Sequence, residues 1–507
     1  MNLTGLIRPI FMRRISAAMR AAATPEDTQR QLLQRLIHTA KATEWGRTHN
    51  FSSLSTYEDF ADAVSLSPYE NIRSYVMRMI AGQPDVLWPG VTKRFAQSSG
   101  TSDGKSKYIP VTRESLKQSH YRGASDVVAH YLNLYPDSRI FSGKSFILGG
   151  SFANELSIAA SAGVKVGDLS ANLIDAINPL AELVRVPDRA TALMADWRQK
   201  LPLLAQKAAK QDITNISGVP SWFLGVLREV LHITGASNIH DVWPNLEVFF
   251  HGGISFAPYR KLYAEITDTA KMRYIETYNA SEGFFAIQDT ATPGAMLLLL
   301  DAGTFYEFGD PIDPTKPLIP AWQVEKGRIY SLVITSCNGL WRYPIGDTVK
   351  IESTNPIRIS IAGRTKHYIN AFGEEVMVHN TDAALTHTCD ALHTAVLNYT
   401  AAPIYATEHS HGRHQWLIEF DTMPTDLDAF ADRLDRALCD ENSDYQAKRA
   451  GSIFLDRLEI IPARRGLFDD WLASTGKLGG QRKVPRLSND RTTIEQMLRF
   501  NSSKPQI

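Results

Sequence analysis

The chain has few cysteines and no net charge. Only three cysteines, Cys337, Cys389 and Cys439, occur in 507 residues, and no two of them form a C-x-x-C pair. Neither a disulfide framework nor a thiolate zinc site is supported, and a reducing cytoplasm is the expected location. The 54 basic and 54 acidic residues cancel, so the charge gives no reason to expect nucleic acid or an anionic membrane as a partner.

The chain also lacks a long hydrophobic run. Its longest apolar stretch, residues 295–300, is far shorter than the ~20 residues that cross a membrane, and it is typical of a buried strand. Residues 1–23 carry arginines and no acidic residue, as transit peptides and membrane-surface helices do, but they continue into a helical pattern without a cleavage-like boundary. We interpret them as an amphipathic first helix and expect a cytoplasmic monomer without a membrane span.

The length and the changing pattern of the chain predict two domains. A chain of 507 residues exceeds what one ordinary core holds. Up to Asp347 helical patterns alternate with buried strands, and beyond it short strands and helices form a smaller α+β pattern. We place the boundary near Gly363, which predicts a large N-terminal α/β domain over residues 1–362 and a smaller domain over residues 363–507.

Residues 97–107, Gln-Ser-Ser-Gly-Thr-Ser-Asp-Gly-Lys-Ser-Lys, carry groups suited to binding phosphate. Gly100 and Gly104 let the backbone turn so that N–H groups converge on an anion, and the hydroxyls and lysines add donors and positive charge. The two glycines do not fit the P-loop pattern G-x-x-x-x-G-K-[ST], which leads into a helix, whereas strands are predicted here on both sides. A solvent loop rich in serine and glycine is the other interpretation.

Two further predicted strands end in small residues. Residues 246–251 lead into Gly252 and Gly253, and residues 273–277 lead into Tyr278-Asn279-Ala280-Ser281-Glu282-Gly283. Such turns in succession indicate a crevice at the carboxyl ends of strands, where α/β proteins bind ligands. The glycine pair would let a flat ring approach the backbone, although a simple strand-ending turn explains the pair equally well.

The order and spacing of these motifs resemble one enzyme family. Ser-Ser-Gly-Thr-Ser-x-Gly-x-x-Lys, at residues 98–107, is similar to the phosphate loop of the auxin-responsive acyl acid-amido synthetases, the Gretchen Hagen three family of adenylate-forming enzymes. Tyr278-x-x-Ser281-Glu282 resembles the second family motif. Residues 343–347, Tyr-Pro-Ile-Gly-Asp, resemble the third, Tyr-Arg-x-Gly-Asp, with Pro344 where arginine is usual. The resemblance covers about residues 43–486.

This resemblance implies a site for ATP and Mg²⁺. The residues that it assigns to the phosphates are Ser98, Ser99, Gly100, Thr101, Ser102 and Lys107, of which Lys107 is also predicted to be catalytic. Gly252 and Gly253 would lie against adenine, with Tyr278 and Ser281 beside the nucleotide. A carboxylate beside a phosphate site needs a cation between them, and Mg²⁺ takes oxygen ligands, so Glu282 is the predicted metal ligand.

The third motif and the segment after it supply the remaining nucleotide contacts. Asp347, after a glycine at a strand end, is predicted to accept hydrogen bonds from the ribose hydroxyls, as the acid of dinucleotide folds does. Arg364 resembles the arginine at the hinge of adenylate-forming enzymes and is predicted to contact ribose or phosphate, although a boundary arginine is as often a plain surface residue. The role of the arginine that Pro344 replaces stays unassigned, with Arg342 as a neighbouring substitute.

A basic, glycine-rich loop at residues 476–486 supplies the last candidate. The family's end pattern aligns with Lys483-Val484-Pro485-Arg486, so Lys483 is predicted to neutralise the charge that develops on the α-phosphate. Lys477, which follows a glycine, is the reserve candidate, and a solvated basic loop is the alternative. The resemblance also implies that the C-terminal domain is mobile and rotates between two half-reactions.

The predicted function is therefore ATP-dependent adenylation of a carboxylic acid, followed by transfer of the acyl group to the amine of an amino acid. No residue decides against an acyl-CoA ligase, in which a thiol replaces the amine, and the departure at Pro344 leaves open a nucleotide-binding regulatory protein without turnover. The spacing of His409, His411 and His414 argues against zinc. Tyr121, Leu173, Trp222 and Phe223 are equally acyl-pocket wall or core, so the acid and the amino acid stay unassigned.

Overall fold

The computed structural model describes residues 4–98, 107–152, 156, 162–253, 256, 259–311, 313–364, 368–369, 371–372, 374, 376–405, 412–449, 455–475 and 484–502. The chain forms two compact units. The larger unit contains the described residues of Met1–Ile254 and Ile266–Ser360, and the smaller contains those of Ser255–Glu265, Ile361–Leu478 and Arg482–Ile507.

Two helices of the larger unit begin with sequence features typical of helix starts. Pro25 opens α2 with Glu26 and Asp27 in its first turn, and Thr56 and Asp59 form a capping box at the start of α4. A single π turn, Leu116–His120, joins α6 to α7. The helices are α1 (Thr4–Ala23), α2 (Pro25–Ala40), α3 (Glu44–Thr48), α4 (Tyr57–Ala63), α5 (Tyr69–Ile80), α6 (Arg113–Ser115), α7 (Tyr121–Leu134), α8 (Leu169–Asp175), α9 (Pro179–Glu182), α10 (Arg189–Ala192), α11 (Trp197–Ala209), α12 (Pro220–Thr234) and α13 (Ile239–Val242).

Two sheets organise the larger unit. Its strands are β1 (Arg94–Ser98), β2 (Lys107–Pro110), β3 (Lys144–Ile147), β4 (Lys165–Gly167), β5 (Arg185–Val186), β6 (Ile213–Gly218), β7 (Val248–Gly252), β8 (Arg273–Ala280), β9 (Gly283–Ile287), β10 (Met296–Leu298), β11 (Thr304–Gly309), β12 (Ile319–Pro320), β13 (Ile329–Ser336), β14 (Leu340–Thr354) and β15 (Ile357–Arg364), whose last four residues belong to the smaller unit. The small sheet has the order β2-β1-β4, and the large one β12-β11-β13-β14-β15-β10-β9-β8-β7-β6-β3-β5.

The large sheet has a parallel part and an antiparallel part. Strands β5, β3, β6, β7 and β8 are parallel neighbours. From β8 to β9 the direction reverses, and β10, β11, β12 and β13 pair with their neighbours in antiparallel fashion. The reversal falls in the turn that holds Ser281 and Glu282.

Aromatic packing fixes the start of β14 against the N-terminal helical segment. The indole of Trp341 lies 4.7 Å from the ring of Phe51 and 6.2 Å from that of Trp88, centroid to centroid. Its Nε1 donates a hydrogen bond to the carbonyl oxygen of Leu87 at 3.1 Å. All three rings are buried, so the strand that leads to Asp347 starts from a rigid anchor.

The smaller unit is an α+β structure around its own core. Its helices are α14 (Arg260–Ile266), which ends one residue inside the larger unit, α15 (Val378–Leu392), α16 (Leu427–Glu441), α17 (Ser443–Arg449), α18 (Leu467–Ser474) and α19 (Thr492–Ser502), and its strands are β16 (Tyr368–Ile369), β17 (Val376–Met377), β18 (Ala395–Ile404), β19 (Arg413–Thr422) and β20 (Glu459–Ala463). The order β18-β19-β20 forms one sheet. Trp416, on β19, and Leu434, on α16, are fully buried in the core of this unit.

The expected fold class, a large N-terminal α/β part followed by a smaller α+β part, is confirmed. The sequence predicts a first helix within residues 1–23, and α1 covers Thr4–Ala23. The sequence periodicity predicts one helix over residues 380–398 and one over residues 188–210, and both predictions are wrong in extent: the first helix ends at Leu392, and the second is split into α10 and α11. Within the described residues, no helix combines the length and apolar character needed to span a bilayer.

Candidate functional site

The predicted nucleotide residues that follow β7 and β8 lie at one edge of the large sheet. Because β6, β7 and β8 are parallel, their carboxyl ends lie side by side at this edge. The register pairs Gly218 with His251 and Gly252 with Thr277. The segments that follow β7 and β8, which contain the glycine pair and the second motif, are therefore neighbours in space.

The glycine pair is required by close backbone packing. A Cβ atom on Gly252 would lie 2.3 Å from the carbonyl oxygen of Thr277, on the neighbouring strand, so no larger residue fits without moving β7 from β8. Gly253 has φ +82, a conformation that favours glycine. The structure thus gives the pair a packing reason, and this reason is compatible with a ligand ring lying against the same backbone.

The second and third motifs meet through one hydrogen bond. The hydroxyl of Tyr278, at the end of β8, donates to Oδ2 of Asp347, in β14, at 2.7 Å. Both side chains are buried. Gly346, directly before Asp347, has φ +91, and this glycine conformation bends the strand at that point. Residues that lie 69 positions apart in the sequence are joined at the strand-end edge.

Ser281 and Glu282 form the turn between β8 and β9, and both are buried. The side-chain amide of Asn338 donates to the backbone carbonyl of Glu282 at 3.1 Å, and Ser336 hydrogen-bonds to the side-chain oxygen of Asn338. These bonds fix the turn from the side of β13 and β14. A carboxylate is thereby held in a buried turn at the edge where the motifs meet.

The chemistry of the donors fits Mg²⁺ bound together with a phosphate ligand. Within the described part of the chain, no cluster of three or more His, Cys, Asp or Glu side chains forms a ready-made metal cage. Mg²⁺ usually binds through one or two carboxylates, with phosphate oxygens and water completing its six ligands. Glu282 offers one such carboxylate, and burying it is costly unless a cation or a donor compensates it.

A hairpin frames the phosphate-loop segment. Strands β1 and β2 pair in antiparallel register, and the pair farthest along is Ser98 with Lys107. The ammonium of Lys107 lies 5.8 Å from the ring centroid of Tyr69, whose hydroxyl accepts a hydrogen bond from the backbone N–H of Tyr108. The two ends of the predicted loop, residues 98 and 107, are thus held side by side.

Several predicted residues lie outside what the structure describes. Ser99, Gly100, Thr101 and Ser102 fall in the undescribed residues 99–106, and Lys477 and Lys483 fall in residues 476–483. Arg364 is the last residue of β15, and its side chain is not described, nor is that of Ser98.

Arg342, the candidate substitute for the missing motif arginine, is fully engaged elsewhere. Its Nε and Nη2 donate to the two carboxylate oxygens of Glu307 at 3.1 and 2.9 Å. Its Nη1 donates to the carbonyl oxygens of Ala61 and Val64, at the end of α4, at 2.7 and 2.8 Å. The guanidinium therefore lies in the interior of the larger unit, bonded to β11 and to the end of α4. No local sequence signal marks this pair, because its partners are distant in the chain.

A buried lysine that the sequence did not indicate holds the end of β3. The ammonium of Lys200 donates to the carbonyl oxygens of Gly149 and Met194 at 2.6 and 3.2 Å, and burial lowers its pKa to about 8. Asp168 accepts the N–H of Ser151 at 2.8 Å. Since β3 is parallel to β6, this fixed turn lies along the same edge as the glycine pair.

For four residues the sequence leaves open whether they line an acyl pocket or belong to the core, and the structure distinguishes among them. Phe223 is fully buried against Phe146 and Phe249 and belongs to the core. Tyr121 donates its hydroxyl to the carbonyl oxygen of Leu173 at 2.8 Å, and burial raises its pKa to about 12. Trp222 is partly exposed and packs edge-on against the ring of Trp197.

The π turn brings an unsatisfied histidine close to the second motif. Ser119 accepts the backbone N–H of Phe284, two residues after Glu282, at 3.0 Å. The next residue, His120, is buried with no hydrogen-bond partner at either ring nitrogen, and burial lowers its pKa to about 4. π turns occur frequently at functional sites. The helical periodicity of this segment gave no sign of the irregular turn.

Family profiles match most of the chain. The GH3 family N-terminal domain matches residues 14–272, the GH3 family central domain residues 297–364, and the GH3 family C-terminal domain residues 379–492. Two curated relatives span nearly the whole length. The indole-3-acetic acid-amido synthetase GH3.4 of Arabidopsis thaliana is 21% identical over 91% of this chain and 89% of its own. The jasmonoyl–L-amino acid synthetase GH3.5 of Oryza sativa subsp. japonica is 23% identical over 91% and 92%.

Solved structures share the fold. The AtGH3.15 acyl acid amido synthetase in complex with 2,4-DB superposes with a TM-score of 0.79 at 18% identity, over 97% of this chain and 96% of that one. A 2-hydroxyisobutyryl-CoA ligase in its postadenylation state superposes with a TM-score of 0.56 at 14% identity, over 93% and 91%. Both likenesses concern the fold.

Proposed function

The chain belongs to the GH3 family, and from that membership we propose that it is an acyl acid-amido synthetase. It activates a carboxylic acid with ATP and transfers the acyl group to the amine of an amino acid. The observation that carries the proposal is the contact between Tyr278 and Asp347, at 2.7 Å, because it joins two family motifs at the strand-end edge where α/β enzymes bind nucleotides. The family relatives named as amido synthetases support the same reaction class.

In the first half-reaction a carboxylate oxygen of the acid attacks the α-phosphorus of ATP. The bond from the α-phosphorus to the bridging oxygen breaks, and pyrophosphate leaves with the electron pair. We propose that Ser98, Ser99, Gly100, Thr101, Ser102 and Lys107 hold the β- and γ-phosphates, with Lys107 adding positive charge as pyrophosphate departs. The paired positions of residues 98 and 107 support this role, since they hold the two ends of the segment next to each other.

The nucleoside is proposed to bind along the neighbouring strand ends. Adenine lies against the backbone of Gly252 and Gly253, where the absence of side chains permits close approach. Asp347 accepts the ribose hydroxyls, oriented by Tyr278. Ser281 and Arg364 complete the contacts to phosphate and ribose. Glu282 is the proposed ligand of Mg²⁺, which supplies charge neutralisation to the phosphates when it is bound.

The second half-reaction takes place on the acyl-adenylate. The amine nitrogen of an amino acid attacks the acyl carbon, the carbon–oxygen bond to the phosphate breaks, and AMP leaves as the amine loses a proton. We propose that Lys483 neutralises the α-phosphate in adenylation and that the C-terminal domain, residues 363–507, moves relative to residues 1–362 between the two half-reactions. Such a movement would shield an adenylate that water hydrolyses. We also propose a monomer that works in the cytoplasm.

The test is exchange of labelled pyrophosphate into ATP with a panel of aromatic and aliphatic acids. We expect exchange that depends on the acid and does not require an amino acid. The variants Lys483→Ala and Lys477→Ala, measured side by side, identify the adenylation lysine, because only the true one reduces exchange by the 10²- to 10³-fold typical of a lost charge stabiliser. No exchange with any acid, despite ATP binding, would favour a regulatory nucleotide-binding protein.

The acceptor is decided in a second experiment with the acid that supports exchange. Amino acids and coenzyme A are offered separately, and the products are separated by mass. We expect an amide and AMP with one group of amino acids, and no thioester. A thioester in place of the amide would assign the chain to the acyl-CoA ligases, whose fold it shares.

A further inference from the structure

Arg342 lies at the start of the third motif and carries an unusual backbone conformation. Its φ is +44, in the left-handed region that a residue with a side chain rarely adopts. The backbone is nonetheless held on both sides: its N–H donates to Oγ1 of Thr335 at 2.9 Å, and its carbonyl accepts the N–H of Ser67 at 3.0 Å. A strained conformation persists only where its surroundings hold it, so these contacts fix the backbone of Arg342 in this one conformation.

The side chain of Arg342 connects three elements of the larger unit. It is buried, and its fork binds both oxygens of Glu307, which is fully buried on β11. Its remaining nitrogen reaches two carbonyl oxygens at the carboxyl end of α4, where helices leave such groups without internal partners. Tyr57, the first residue of α4, donates its hydroxyl to Glu307 at 3.1 Å. The start of α4 is thus bonded to β11 through Tyr57, and its end is bonded to β14 through Arg342.

We propose that Arg342 is a positioning residue for the nucleotide site. It fixes the segment of β14 in which Asp347 accepts the hydrogen bond from the hydroxyl of Tyr278. The inference rests on the proposed ribose role of Asp347. Asp347 follows Arg342 by five residues in the same strand, so a shift at the start of the segment is passed along it toward the carboxylate. The arginine acts through the strand and makes no contact with the nucleotide.

This role explains how the chain retains the motif without its usual arginine. Pro344 removes a side chain that could contact a ligand and a backbone donor as well, but its fixed φ also stiffens the segment. The position of the segment then depends on the buried pair behind it together with the packing of Trp341. Ion pairs of this kind need not add stability, and their best-supported use is to specify one geometry over others.

The test compares two double variants of the full-length chain. Arg342→Met with Glu307→Leu replaces the pair by apolar side chains of similar size, which often leaves stability intact. Arg358→Met with Asp289→Leu does the same to a matched two-pronged pair, whose bonds measure 2.9 and 2.7 Å and whose arginine lies on β15, two residues after Pro356. ATP and 2′-deoxy-ATP binding are measured by calorimetry, and thermal midpoints are recorded for all proteins.

The readout is the preference for ATP over its 2′-deoxy form, which reports on the ribose contact. We expect the Arg342 double variant to bind ATP about tenfold more weakly and to lose most of that preference, as one hydrogen bond to a charged group would give. In exchange kinetics the KM for ATP rises while the KM for the acid does not. The Arg358 double variant keeps both affinities within twofold, and Glu307→Gln, which keeps one acceptor for Arg342, recovers part of the preference.

Unchanged ATP binding and an unchanged ribose preference in a folded Arg342 double variant would overturn the inference. If that variant fails to fold, Arg342→Lys serves instead, since it keeps the charge but loses the fork and the bonds to α4, and wild-type affinity in it would be equally decisive against positioning. Failure of the proposed function looks different: the wild-type chain then shows no pyrophosphate exchange with any acid. Wild-type chain that binds no ATP would overturn both.

Discussion

Replacing Tyr278 by phenylalanine tests the contact between the two motifs directly. The change removes one hydroxyl, which lies 2.7 Å from Oδ2 of Asp347, and keeps the ring that packs on Phe285. A hydrogen bond to a charged acceptor contributes about 1.5–3 kcal/mol, and 1.4 kcal/mol corresponds to tenfold in a binding constant. Because the hydroxyl orients the carboxylate that is proposed to bind ribose, we expect ATP to bind about tenfold more weakly.

A double-mutant cycle with Asp347→Ala separates this coupling from other effects. Once the carboxylate is absent, the hydroxyl has nothing to orient, so adding Tyr278→Phe should weaken ATP binding by no more than about twofold. The coupling energy should then be about 1 kcal/mol or more, beyond the ~0.5 kcal/mol within which independent sites add. The assay is calorimetric titration of ATP into all four proteins at one ionic strength.

Tyr445→Phe is the matched control for this cycle. Tyr445 donates its hydroxyl to Oδ1 of Asp435 at the same distance, 2.7 Å, and is fully buried, but it belongs to the smaller unit and carries no proposed nucleotide role. We expect it to lower the thermal midpoint without changing ATP affinity. Strict additivity of Tyr278→Phe and Asp347→Ala, or an equal loss of affinity in the control, would refute the reasoning.

Three other changes have expected outcomes. Gly252→Ala inserts a methyl group 2.3 Å from a neighbouring carbonyl oxygen and should abolish ATP binding and lower the thermal midpoint, whereas Gly225→Ala, on a helix with no atom within 4 Å, should leave both unchanged or raise the midpoint. Burial lowers the pKa of Lys200 from 10.5 to about 8, so between these pH values the unfolded chain binds more protons than the folded chain. The free energy of unfolding of the wild type, relative to that of Lys200→Met, should therefore rise by on the order of 3 kcal/mol from pH 8 to 10.5. Urea titrations at each pH measure this difference. Burial alone would raise the pKa of Glu374, but the hydrogen bond from His414 and backbone N–H donors hold this pKa below 4.5. The ionised carboxylate therefore stabilises the folded chain above that pH, and this contribution is lost on acidification. Acid unfolding followed by fluorescence should be less steep in Glu374→Gln.

The sequence identified the strand-end edge because its signals are local. Gly252 and Gly253 directly follow an apolar run, and Ser281 and Glu282 follow another, so each turn could be recognised from a few neighbouring residues. Parallel strands with these endings predict that the turns meet, and the register of β7 and β8 agrees. What local reasoning could not give was the contact of Tyr278 with Asp347, which depends on the placement of β14 beyond β9, β10 and β15 in the sheet order.

The buried pair of Arg342 with Glu307 was missed for a related reason. Arginine next to a motif suggests a ligand contact, and nothing in the sequence shows that a glutamate 35 residues earlier and two helix-end carbonyls bind all three of its side-chain nitrogens. Composition indicates that a charge is present, and only the tertiary structure shows what compensates it. The buried amine of Lys200 illustrates the same point, since its partners are backbone carbonyls.

Two wrong element boundaries have identifiable causes. The helix expected to reach residue 398 ends because His393 adopts φ +51, a left-handed conformation for which glycine is the usual signal, and the apolar residues that follow suit a strand as well as a helix. The break between α10 and α11 did have a signal. Asp196 accepts the N–H groups of Arg198 and Gln199 and so starts a new helix, but the apolar periodicity on both sides concealed it.

The reversal of strand direction at β8 and β9 also bears on how the chain folds. Antiparallel neighbours such as β13 and β14 are joined by a short turn and form contacts close in sequence, whereas β6, β7 and β8 must wait for the crossover helices between them. The turn with Glu282 lies at the junction of a fast-forming half and a slow-forming half. Ability to bind nucleotide should therefore return last in refolding, after most secondary structure is regained, which makes the empty enzyme most vulnerable to proteases during its final folding step.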